Sequence, residues 1–114
     1  MNIGYLEVVT PNVEQFCATY EKVHGVTFSA PVPELGNART AMLSSGGRLG
    51  VRGPMRPDEA PIVRPYVLTT DIHAAFKAAE AAGAELAHPP MKIPGQGTFA
   101  IFVHHGIESA LWQN

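Results

Sequence analysis

The chain of 114 residues has one cysteine, Cys17, and so no means of making an internal disulfide. A lone thiol fits a reducing compartment, and a cytoplasmic protein is expected. The sequence also lacks an apolar run near the roughly 20 residues of a membrane span, and its first residues lack the pattern of a secretory signal. Basic residues are few: eight Lys and Arg stand against ten Asp and Glu, for a formal net charge of −2. They are scattered, with no stripe to meet a phosphate backbone, which argues against a nucleic-acid partner. No Lys-Ser or Lys-Thr follows a glycine pair, so a phosphate-binding loop is not indicated. Apolar residues supply 46% of the chain, enough for one globular domain with its own core.

Glycine and proline are well represented, at 11 and 10 residues, and they punctuate the chain. Residues 3–10 carry β-branched side chains and read as a strand, which Pro11 ends. Val13, Phe16, Cys17, Tyr20 and Val23 then fall on one helical face, and Gly25 follows as a C-cap. Residues 26–30 read as a short strand and 31–37 as a loop. Two further strands, 38–43 and 48–51, flank the hairpin turn Ser44-Ser45-Gly46-Gly47. Residues 53–61 hold three prolines and two acids and read as a connector.

The pattern then restarts. Residues 63–69 form a strand, Asp71 is placed to cap a helix over 72–82, and Gly83 ends it. A strand at 84–88, a Pro/Gly-rich loop at 89–97 and a hairpin of 98–103 with 108–112 complete the second half. Displacing the first half by about 59 residues lays Asn12 on Asp71, Val13 on Ile72 and Gly47 on Gly106, a repeat of pattern rather than of identity. The expected fold is α+β: two βαβββ modules, 1–53 and 63–114, joined by 54–62. One module alone would leave a sheet face open. Two can close it, as a curved mixed sheet around a cleft.

This order and punctuation resemble the vicinal oxygen chelate superfamily, which includes glyoxalases, bleomycin resistance proteins and extradiol dioxygenases. The resemblance runs over essentially the whole chain. It is carried by the opening LEVVTPNVEQFCATYEKVHGV, by YVLTTDIHAAFKAAEAAG (residues 66–83), and by PPMKIPGQGTFAIF with the later ALWQ. It implies homodimerisation and, in metal-using members, His, Glu or Gln ligands on the first and last strands of each module. In register, those positions are Tyr5, Val51, Arg64 and Ala110 in this chain. Tyrosine is a rare ligand, arginine offers no lone pair, and valine and alanine carry no donor. A member without the usual metal site or cofactor is therefore expected.

Strand parity then gives the residues facing the cleft: Tyr5, Glu7, Arg64, Tyr66, Ala110 and Trp112, with Met42, Phe99 and Ile101 as neighbours. Aromatic faces suit stacking on an organic ring, and Arg64 suits a carboxylate. The expected function is metal-independent binding of an aromatic or amphipathic small molecule. The alternative is an isomerase or lyase with Glu7 as general base, with or without an atypical divalent metal, so enzymatic activity is left open. For Glu7 the simpler role is a structural ion pair with Arg64. His104 and His105, adjacent at a hairpin tip, point to opposite sides and suit solvent better than a metal.

Overall fold

The computed structural model describes residues 1–114. The chain forms β1 (Ile3–Val9), α1 (Val13–His24), a single 3-10 turn (Pro33–Leu35), β2 (Arg39–Met42), β3 (Arg48–Arg52), β4 (Ile62–Leu68), α2 (Ile72–Ala81), β5 (Glu85–Ile93), β6 (Gly97–His104) and β7 (Ile107–Gln113). The strands make one mixed sheet in the order β2-β3-β1-β4-β7-β6-β5. The β4–β7 pair is parallel, while β2–β3, β5–β6 and β6–β7 are antiparallel. The α+β class read from the sequence is the one found. No helix is long and apolar enough to cross a membrane.

Contacts group the residues into two compact units, Leu6–Arg64 and Met1–Tyr5 with Pro65–Asn114. In Leu6–Arg64, α1 lays Cys17 into a core of Val8, Phe28, Ala41, Leu49 and Val51. The helix ends as the sequence requires: Gly25 takes a left-handed φ of 67° and donates its N–H to the Glu21 carbonyl. Cys17 is fully buried and burial pushes its thiol pKa up, which makes it a packing group rather than a nucleophile.

The strand expected at 26–30 does not form. This segment makes one sheet-like bond, from Ser29 N–H to the Thr40 carbonyl at 2.7 Å. The neighbouring Phe28 N–H is taken instead by the Glu21 carboxylate, and Pro31 ends any ladder. Phe28 is buried all the same, so its side chain serves the core without a strand beneath it.

In the other unit, Ile72 and Phe76 of α2 pack on Ala100, with Phe102 and Leu111 around them. Asp71 caps α2 as expected, its Oδ1 accepting from Ala74 N–H at 3.0 Å. The Gln113 side chain adds a second cap by accepting from Ile72 N–H at 2.7 Å. Replacing Asp71 with alanine should lower stability by about 1 kcal/mol in urea unfolding, the usual cost of an N-cap.

The loop expected at 89–97 is largely strand. β5 runs to Ile93 and pairs with β6 through Met91↔Phe99, Lys92↔Thr98 and Ile93↔Gly97. Two prolines fit because β5 is the last strand of the sheet and its register shifts on either side of His88. Only Pro94-Gly95-Gln96 remains a turn, closed by Gln96 N–H on the Ile93 carbonyl.

Candidate functional site

Two clusters of side chains stand out, one in each unit. The first is aromatic. Register places Tyr66 opposite Ala110 and Ala110 opposite Ile101; the next row pairs Leu68 with Trp112 and Trp112 with Phe99. These residues therefore share one face of β4, β7 and β6. Tyr5 stacks on Trp112 with ring centroids 5.1 Å apart and planes 18° from parallel. Tyr66 meets both edge-on, at 5.7 Å and 6.0 Å. Phe99 meets Tyr66 at 6.3 Å, and the His88 ring lies on Phe99 at 4.6 Å.

The indole of Trp112 is held between two glycines. A Cβ on Gly4 would stand 2.7 Å from its Cδ1, and one on Gly97 would stand 2.6 Å from its Cζ2. Real Cβ atoms do not approach so closely, so both backbones lie against the indole because they carry no side chain. Its Nε1–H donates to Asn114 Oδ1 at 3.2 Å. Tyr5, Tyr66, Ala110 and Trp112 are buried, whereas Phe99, Ile101 and His88 are half-buried. The cluster thus has a packed floor and a partly open rim.

The second cluster is ionic and lies in Leu6–Arg64. Glu7 on β1 accepts from Arg64 Nη1 at 2.6 Å through Oε1 and from Arg52 Nε at 2.9 Å through Oε2. Arg52 turns its other edge to Glu59, with Nη1 and Nη2 donating to Oε1 and Oε2 at 2.9 and 2.8 Å. Glu59 Oε1 also accepts from Met55 N–H at 2.7 Å. The Arg52 guanidinium fork holds the Glu59 carboxyl down at a pKa of about 2. In return, Arg52 holds its proton above the usual arginine range, chiefly through its hydrogen bonds to Glu59.

Of the sequence-predicted residues, Tyr5, Tyr66, Phe99, Ile101, Ala110 and Trp112 come together in the first cluster. Glu7 and Arg64 come together in the second. Met42, at the end of the outermost strand β2, is 63% exposed and joins neither. Sequence reasoning missed Arg52 and Glu59. The available signal was an acid in a proline-rich connector just after a strand ending in arginine, and nothing local couples the two.

His104 Nε2 lies 2.9 Å from Ser109 Oγ, and His105 sits in the turn with a φ of 49°. Within neither unit do three or more His, Cys, Asp or Glu side chains gather where they could hold a metal ion. A separate shallow groove of about 330 Å³ runs along α1, lined by Thr10, Asn12, Gln15, Phe16, Thr19 and Tyr20.

No family model matches the sequence, and no curated protein matches it. Solved structures do match the fold. A hypothetical protein from Bacillus halodurans C-125 superposes with a TM-score of 0.79 at 8% identity, over 99% of this chain and 94% of that one. Streptomyces coelicolor methylmalonyl-CoA epimerase, in complex with 2-nitronate-propionyl-CoA, gives 0.73 at 18% identity over 100% and 97%. The Mycobacterium tuberculosis methylmalonyl-CoA epimerase gives 0.73 at 12% identity over 97% and 86%. The likeness is one of fold.

Proposed function

We propose that this chain binds a small organic molecule with an apolar or aromatic surface, and does so without a resident metal ion. The observation that carries the reading is the graded aromatic cluster. Tyr5, Tyr66 and Trp112 form a rigid, buried floor, and Phe99, Ile101 and His88 form a half-buried rim beside it. Rigid rings offer contact area with little entropy to lose, which is what recognition of a flat or acyl ligand needs. The metal-free part of the reading rests on residue chemistry: the positions that the resemblance implies as metal ligands hold Tyr5, Val51, Arg64 and Ala110.

A second reading is favoured by the methylmalonyl-CoA epimerases among the structural neighbours. In it, Glu7 abstracts a proton from a carbon next to a carbonyl. Its two arginine partners weigh against that role. Both carboxylate oxygens accept from guanidinium groups, so a base at Glu7 would first have to give up an ion pair.

Trp112 is the only tryptophan, and its fluorescence reports the cluster directly. Titration with propionyl-CoA, benzoate and benzyl alcohol should give a saturable change with at least one of them. Phe99→Ala should weaken that binding about tenfold, the loss of one good aromatic contact. Absence of any saturable response, or unchanged affinity in Phe99→Ala, would overturn the reading. The second reading demands deuterium uptake at the acyl Cα of methylmalonyl-CoA in D2O by the wild type and not by Glu7→Gln.

A further inference from the structure

The ionic cluster has parts of two kinds. Glu7, Arg52 and Arg64 stand on β1, β3 and β4, where backbone pairing fixes them. Glu59 does not. It sits in the segment between β3 and β4, which has no regular structure beyond the turn closed by Glu59 N–H on the Arg56 carbonyl at 3.1 Å. A guanidinium fork with two parallel N–H groups is the usual protein receptor for a carboxylate. Here the sheet presents such a fork, and an irregular segment of the same chain supplies the carboxylate that fills it. Glu7 cannot fill it, because Glu7 meets Arg52 on the Nε side and shares its carboxylate with Arg64.

We infer that Arg52 is a binding site for the carboxylate of an organic anion, and that Glu59 is an internal occupant which such an anion displaces. This goes beyond the aromatic site and does not depend on it. The displaced Glu59 is not stranded. Met55 N–H already donates to it, and Arg56 lies close by in the same turn. Nor is the segment locked from the other side. Met55, which packs on Gly36, remains 65% exposed, and the Arg56–Asp58 ion pair is wholly at the surface. The connection between β3 and β4 is thus a latch fastened on Arg52, which holds the Glu59 carboxylate and, through Nη1, the Gly53 carbonyl at 3.1 Å.

The test uses sodium butyrate against sodium chloride at equal ionic strength, with calorimetric titration and amide hydrogen exchange over residues 53–61. For the wild type, the expected result is weak saturable binding of butyrate and faster exchange in 53–61. Glu59→Gln, which keeps size and loses charge, should bind butyrate at least about tenfold more tightly, because the competing charge-assisted pair is gone. Arg52→Lys, which keeps the charge and loses the fork, should bind it no better than chloride. Equal affinity in the wild type and Glu59→Gln would overturn the inference. So would binding that leaves exchange in 53–61 unchanged, or a wild type that does not distinguish butyrate from chloride. Benzyl alcohol, which has no carboxylate, tests the Phe99 site separately, and its binding should be indifferent to Glu59→Gln.

Discussion

Arg52→Ala should cost about 3–5 kcal/mol of folding stability, the range seen when one member of a buried ion pair is removed. Arg52 is 6% exposed and serves two carboxylates, Glu7 and Glu59. Its loss strips Glu59 of its only fork and leaves Glu7 to Arg64. The reciprocal change should be milder. Glu59→Gln keeps two polar atoms for hydrogen bonding, and it removes a charge rather than leaving a buried one unpaired. Urea unfolding of both variants checks the order of effects.

The same pair sets an acid limb. Glu59 is held at a pKa of about 2, below the ordinary 4.5 for its type, so the unfolded chain takes up the proton first. Its contribution is complete above the ordinary value and fades as the pH falls from there toward 2. Wild-type stability should therefore drop over that window more steeply than that of Glu59→Gln. Parallel curves would show that Arg52 does not hold the Glu59 charge.

Trp112→Ala should cost a similar amount, about 3–5 kcal/mol, by opening a cavity where the largest buried side chain stood. The loss is deepened by geometry. Tyr5 loses its stacking partner, Tyr66 loses an edge-to-face contact, and Gly4 and Gly97 lose the surface they were shaped to meet. The converse substitutions test the clamp from outside. Gly4→Ala and Gly97→Ala each place a methyl within the indole's van der Waals surface and should cost about 1–3 kcal/mol, typical of overpacking. Urea midpoints of the three variants provide the measurement. An alanine at either glycine without loss of stability would mean that the strand shifts freely past Trp112.

Much of the local structure was legible because it depends on neighbours in sequence. The face of α1 from Val13 to Tyr20, the Gly25 cap, the Asp71 cap and the Gly106 hairpin all follow from short-range rules and appear in place, whereas Val23, expected on that face, is 66% exposed. Where legibility failed, a non-local partner decided. Residues 26–30 have strand composition, but the Glu21 carboxylate took the Phe28 N–H that a ladder would have used. Residues 89–93 have loop composition, but an edge position tolerates proline and β6 supplied the pairing. The register puts Tyr66, Phe99, Ala110 and Trp112 on one face, as alternation along a strand requires.

The sequence by itself determined the α+β class, the two helices with their ends, and which alternating side chains share a sheet face. Those are set by backbone periodicity and by caps a few residues away. Only the tertiary structure decided that Arg52 and Glu59 bind each other and that Glu7 serves two arginines. It also decided that two glycines distant in sequence close on Trp112. Such pairings are made by strands, and for Glu59 by a connecting segment, that meet only in the folded chain. A charge or a missing side chain carries no mark of the partner it will face there.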